Sequence, residues 1–326
     1  MNGAIAPWLD AAWQRLRGAL AAGRLHHALL IAGPAGLGKR ALAEALVAVA
    51  LCEQPGAAGA CGRCRACQLM AAGTHPDRVR VGFVERDDGK LRSELTIDQI
   101  RALSARLALS SQFGGLQLAI VEPAEAMNVS AANALLKTLE EPATDTIMIL
   151  VADQPARLPA TIRSRCQRID VGLPPPAQAL AWLREQGLAD APAREALAAS
   201  AGNPGQALAW SKDGRVELGA ACAGDLVALA GGRSSAGEVA ERWAADRPAD
   251  RLWFAAVLAD EEAQRLAAGE RGRFGLTAVD EIPKLAAWFA KANQARRLLD
   301  TPLRPELVLL DVLRAWPATG QGTRRS

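Results

Sequence analysis

The chain contains no tyrosine, five phenylalanines and four methionines among its 326 residues. Its cores must therefore be built on Leu, Ile, Val, Ala and Trp. A strong charge of either sign is also missing: the formal net charge is +3. That excludes a strongly polyelectrolyte nucleic-acid binder, although a local basic face remains compatible with it. No uninterrupted apolar run reaches the roughly 18 residues of a membrane span. The opening MNGAIAPW has neither the basic nor the apolar region of a secretory signal. A globular, cytoplasmic chain is expected, long enough for two or three domains.

The six cysteines are unevenly spread: Cys52, Cys61, Cys64 and Cys67 cluster, while Cys166 and Cys222 stand alone. In a reducing compartment such a cluster points to metal rather than to disulfides. The spacing Cys52-x8-Cys61-x2-Cys64-x2-Cys67 lets four thiolates converge tetrahedrally on Zn²⁺, with Gly56, Gly59 and Gly62 supplying the turns. Four sulfurs close such a site, so its expected role is structural. Free thiols in a loop, or His75 replacing one cysteine, are the competing readings.

Gly33 to Arg40, GPAGLGKR, is almost a phosphate-binding loop. It follows the apolar run 28–32 and precedes the helical pattern of 40–51. Strand, Gly-rich turn, Lys and helix form the context in which G-x-x-x-x-G-K-[ST] has mechanical meaning. Gly33, Gly36 and Gly38 let backbone N–H groups turn around phosphate oxygens, and Lys39 would reach the outer phosphates. The next residue should be a Ser or Thr that ligates Mg²⁺. It is Arg40, which cannot. An acidic pair is also needed after a later strand. The run 116–121 is followed by Glu122, a weak candidate for the first carboxylate, and by Pro123, which cannot activate water. Two parts of phosphoryl transfer are thus missing. The loop either binds nucleotide without hydrolysing it or survives only as a helix-start turn.

Strand-like runs at 28–32, 79–84, 116–121 and 146–152 alternate with helical patterns at 9–22, 40–51 and 130–141. The last of these has Ser130 as candidate N-cap and Pro142 beyond its end. This alternation implies a parallel sheet with helices on both faces. The proline run 174–176 breaks the pattern, and short helical stretches follow at 177–186, 191–200 and 205–210. A second composition change at 211–214 opens an all-helical C-terminal third, and 319–326 reads as a disordered tail. Among the arginines of TIRSRCQR (161–168), Arg163 and Arg168 fit a solvated face. Arg165, between two small residues, is the candidate for a directed role.

Several segments carry a family resemblance: GRLHHALL (23–30), the near phosphate loop, CRACQLM (64–70), GTHPD (73–77), AANALLKTLEEP (131–142), SRC (164–166) and GNPG (202–205). Together they resemble the delta-prime subunits of bacterial DNA polymerase III clamp loaders, a family of AAA+ proteins. The resemblance spans most of residues 8–210. Beyond 211 it rests on length and helical character.

The resemblance implies an AAA+ domain at 1–171 with a degenerate P-loop and a zinc module at 52–67. A helical lid at 172–210 and a helical collar at 211–318 would follow. It implies a subunit that does not hydrolyse ATP and sits in a hetero-pentameric ring with clamp-loader ATPase subunits and a delta subunit. Through that complex it would help load the sliding clamp onto primed DNA, in the cytoplasm, at the nucleoid-associated replisome. Arg165 matches the arginine finger that reaches a neighbour's γ-phosphate. The positions of two sensor residues fall on Ala152 and Gly205, which lack the groups the ATPase subunits use. Two other readings compete. An active clamp-loader ATPase would need a different Mg²⁺ ligand and a different base. A lone zinc-bearing DNA-binding module is disfavoured by the low net charge and the lack of a basic–aromatic strip.

Overall fold

The computed structural model of the chain describes residues 5–85, 89, 91–274, 279–299 and 301–317. The expected disordered tail, 319–326, lies outside the described residues. The chain divides into two compact units, Met1–Gly187 with Asn203–Gln206, and Leu188–Gly202 with Ala207–Ser326.

The first unit runs α1 (Asp10–Ala21), β1 (Ala28–Ala32), α2 (Lys39–Leu51), α3 (Arg65–Ala71), β2 (Arg78–Val81), α4 (Ile97–Leu107) and β3 (Gln117–Val121). It continues through α5 (Val129–Glu140), β4 (Thr146–Ala152), α6 (Ala160–Arg163), β5 (Gln167–Asp170) and α7 (Pro176–Glu185). The strands form one sheet of order β2-β3-β4-β1-β5, with every pairing parallel. β1, β3 and β4 are buried along their whole length, as interior strands of a doubly covered sheet must be. β2 and β5 are edges and are largely exposed or half-buried.

Side-chain alternation along the strands divides the core into two layers. Leu30, Val121 and Leu150 meet Ile100, Leu103, Leu135, Leu139 and Ile162 from α4, α5 and α6. Their neighbours Leu29, Ile31, Ile120 and Ile149 meet Trp13, Leu16, Leu42 and Leu46 from α1 and α2. Each fully buried Leu or Ile side chain contributes about 1.5–3 kcal/mol. The parallel sheet with helices on both faces is thus the architecture the alternation predicts.

Two local expectations are corrected. The strand expected over 79–84 ends at Val81, because its pairing partner β3 ends at the matching Val121. The N-cap of α5 is Asn128, not Ser130: Asn128 is extended, and its Oδ1 accepts the Ala131 N–H at 2.9 Å.

The second unit is helical: α8 (Asp190–Ala199), α9 (Pro204–Asp213, whose first turn belongs to the first unit), α10 (Arg215–Ala230), α11 (Ala236–Ala245), α12 (Pro248–Ala267), α13 (Ile282–Leu298) and α14 (Pro305–Arg314). Tryptophan anchors it. The Trp243 indole donates to Asp225 Oδ2 at 2.7 Å, and the Trp288 indole to the Val312 carbonyl at 2.9 Å. Trp210, Trp253 and Phe254 form an edge-to-face cluster. With no tyrosine in the chain, these indoles carry much of the large aromatic packing.

Candidate functional site

The loop between β1 and α2 lies at the C-terminal edge of the sheet, where ligands of open α/β sheets bind. Gly36 and Gly38 take φ of +83° and +82°, a left-handed conformation that only glycine adopts without strain. Gly38 serves as the N-cap of α2, so the first turn of that helix opens onto the loop.

The lysine and several carbonyls of the loop, however, are satisfied from within. The Lys39 ammonium is buried and contacts Asp153 Oδ1 and the Pro34 carbonyl, each at 2.6 Å. The Ala35 carbonyl accepts from Asn203 Nδ2 at 2.8 Å, and the Leu37 carbonyl from the Trp8 indole at 3.0 Å. Trp8 in turn packs edge-on against Trp182 of α7. Gly205 sits so close to the loop that an added Cβ would collide with the Gly36 carbonyl. A larger residue at that position would have no room.

Arg40 turns to the end of β3. Its Nε lies 2.9 Å from Glu122 Oε2, and Arg80 Nη2 lies 3.2 Å from the same oxygen. Burial pushes the Glu122 carboxyl above the usual carboxylate range, and Arg40 pulls it back. Pro123 follows as the lead-in to a short 3₁₀ turn. The residues at this point do not fit Mg²⁺: the position of its hydroxyl ligand is a guanidinium, and the adjacent carboxylate is taken by two arginines. A cleft of about 890 Å³ lies here, lined by Arg40, Arg80, Glu122 and Asp153 among apolar side chains.

The four clustered cysteines do converge. Their sulfurs all lie within 4.8 Å of one another, with Cys52–Cys64 and Cys61–Cys67 at 3.9 Å. A tetrahedral thiolate site with metal–sulfur bonds near 2.3 Å has sulfur–sulfur edges of about 3.8 Å, so the quartet fits a metal ion. Backbone N–H groups of Cys61, Cys64 and Cys67 point at the sulfurs of Cys52, Cys61 and Cys64, as outer-shell donors to thiolates do. These contacts hold the Cys61 thiol down at about 6, through the N–H groups of Arg63 and Cys64. Burial pushes Cys67 up to about 12. His75 is not part of the group. It is buried, its Nδ1 accepts the Asp77 N–H at 3.1 Å, and its ring lies against Phe113.

Arg165 follows α6 and precedes β5. Its Nη2 meets Glu140 Oε1 at 2.6 Å, and its Nη1 donates to the Thr161 carbonyl at 2.9 Å. The side chain is about one-third exposed, and such a pair is worth about 0–1 kcal/mol. Arg168 is half exposed and pairs with Asp170 two residues on.

Sequence reasoning missed Arg80, Asp153, Asn203 and Glu140 as partners. The R-V-R-V pattern of β2, with Arg78 and Arg80 on one face, was the available signal for Arg80. Asp153 stands directly after the long apolar run of β4. Nothing local marks Glu140 as a partner of Arg165.

Fold and loop together define an AAA+-type P-loop domain with an all-helical C-terminal part. The chain belongs to the family described as DNA polymerase III, delta subunit, whose pattern matches residues 8–174. Among curated proteins it is 48% identical over 203 residues to the DNA polymerase III subunit delta' of Pseudomonas aeruginosa, covering 61% of this chain and 59% of that one. It is 42% identical over 204 residues to the subunit of the same name from Escherichia coli K12, covering 62% of this chain and 60% of that one. The matched stretches thus span less than two thirds of these relatives. Among solved structures, a DNA polymerase III gamma subunit-related protein from Thermotoga maritima covers 95% of this chain and 98% of its own at 17% identity, with a TM-score of 0.46. Among the described residues, no helix is long and apolar enough to cross a membrane.

Proposed function

We propose that the chain is a non-hydrolysing clamp-loader subunit of the DNA polymerase III holoenzyme. Its task is to help place a sliding clamp on primed DNA, within a hetero-pentameric ring that includes ATPase subunits and a delta subunit. The observation that carries this reading is the double internal pairing of the loop, Lys39 with Asp153 and Arg40 with Glu122. A lysine and its neighbour used in this way are poorly placed to serve a bound triphosphate. The purified chain alone is expected to show no ATP turnover above background. Steady turnover abolished by Lys39→Ala would overturn the proposal and favour an active clamp-loader ATPase.

Within the ring, Arg165 supplies the arginine finger. The weak pair with Glu140 can be exchanged for the γ-phosphate held by a neighbouring ATPase subunit, where the charge-assisted contacts are stronger. The cysteine quartet holds a structural Zn²⁺ through Cys52, Cys61, Cys64 and Cys67. With all four thiolates on the ion no position stays open for chemistry, and the ion ties the 52–67 loop to α3. The chain is organised as an AAA+ domain at 1–171, a lid at 172–210 and a collar at 211–318. It works in the cytoplasm, at the nucleoid-associated replisome.

The collar is the main ring contact in this reading. Leu303, just before α14, and Leu307, in its first turn, are more than half exposed and supply apolar surface for it. A Leu303→Asp/Leu307→Asp variant should keep the circular dichroism spectrum and melting of the native chain. Its co-elution with the ATPase subunit in gel filtration should weaken by about tenfold or more, as expected for loss of apolar anchors. Unchanged co-elution would remove these residues from the contact.

A further inference from the structure

Glu122 is the carboxylate that sits where a P-loop enzyme would anchor its divalent cation. It is only about one-fifth exposed, and burial disfavours its ionised form unless positive charge lies beside it. Two guanidinium groups meet it on one oxygen, Arg40 from the first turn of α2 and Arg80 from β2. Together they bring two positive charges, the charge of a divalent cation. The register of the sheet makes this possible: Arg80 pairs with Ile120, two residues before Glu122. On the other side of the loop, Asp153 is already matched by Lys39. We infer that Arg40 and Arg80 replace a divalent cation at Glu122. The site is thereby filled permanently by the chain's own charge and excludes Mg²⁺ and a Mg²⁺-bound nucleotide. This deepens, and rests on, the reading of the loop as catalytically silent.

The consequence is a subunit whose loop keeps one arrangement whether nucleotide is present or not. Arg40 is thus a functional substitution. A hydroxyl side chain at that position would leave Glu122 dependent on an external ion. A guanidinium removes that dependence.

The full-length chain, kept in zinc-containing buffer, tests the inference by thermal unfolding with and without millimolar Mg²⁺, and with Mg²⁺ plus ADP. The native chain should not respond. Arg40→Ser/Arg80→Ala should melt lower without Mg²⁺ and regain about 3 °C or more with it. Arg40→Lys/Arg80→Lys, which keeps both charges, should stay unresponsive. If the double neutral variant fails to fold, Glu122→Gln decides. Its two guanidinium groups then lack their carboxylate, so inorganic phosphate should stabilise it more than the native chain. Stabilisation of the native chain by Mg²⁺, a folded neutral variant indifferent to Mg²⁺, or a Glu122→Gln chain that phosphate stabilises no more than the native one would each overturn the inference. Turnover of ATP by the native chain would instead overturn the silent-loop reading beneath it.

Discussion

A ring assembled with Arg165→Ala in this subunit should lose about 10³-fold in hydrolysis at the one site that this arginine serves, the lower end of what arginine fingers supply in trans. The subunit itself should melt within about 4 °C of the native chain. Among the described residues its guanidinium pairs with Glu140 and donates to the Thr161 carbonyl, and an exposed pair of this kind contributes about 0–1 kcal/mol. The effect is therefore separable. A folded subunit that assembles but leaves its neighbour slow is what a finger predicts, whereas a packing residue would lower stability first. Single-turnover hydrolysis by the ring, with the other ATPase sites inactivated, isolates the affected site. Equal rates for native and variant rings would end the assignment.

The second large effect concerns the cysteine quartet. Native protein should carry about one Zn²⁺ per chain by elemental analysis, and Cys64→Ser should carry none. Cys64 is the informative choice because it has two jobs. Its sulfur is one of the four that converge, and it also caps α3 by accepting the Cys67 N–H. Serine keeps the cap, since it is a strongly preferred N-cap residue, and removes the thiolate. Any loss is then the metal's. The melting temperature should fall by about 4–8 °C, the size of a roughly 2 kcal/mol deficit in a domain of this length. Proteolysis within 52–67 should accelerate. Thiols must be deprotonated to bind, so loading Zn²⁺ should release protons into unbuffered solution. Native protein that contains no zinc when purified reduced would show that the four thiols are merely close.

The parts of the fold that could be read from residues alone are those where burial is continuous. β1 and β4 are apolar runs covered on both faces, and their limits in the sequence and in the structure coincide. The start of α5 was less legible. Its first residue, Val129, is 78% exposed, so an apolar side chain there does not mark the inner face, and the pattern points to Ser130 as the cap where the structure has Asn128. The loop residues Gly33, Gly36, Gly38 and Lys39 and the four cysteines were visible because their chemistry is local, written within a few positions. What they touch was not visible. Arg80 meets Glu122 through the β2–β3 register, Lys39 meets Asp153 through the β1–β4 pairing, and Gly205 meets Gly36 across more than 160 residues of chain. Each of these contacts depends on tertiary structure that no spacing encodes. They change what Arg40 means. In the sequence it is a missing ligand. In the structure it is a charge placed on the carboxylate that a metal ion would otherwise need.

In the proposed ring this chain hydrolyses nothing itself and serves a neighbour's nucleotide. Gel filtration of the full-length chain with the clamp-loader ATPase and delta subunits, followed by ATPase assay of the isolated chain and of the complex with and without it, tests this most directly. Stoichiometric co-elution, no turnover by the chain alone, and DNA-stimulated turnover by the complex that falls when the chain is omitted or carries Arg165→Ala are expected. Turnover by the isolated chain that depends on Lys39, or a complex equally active without it, would rule out the proposed role.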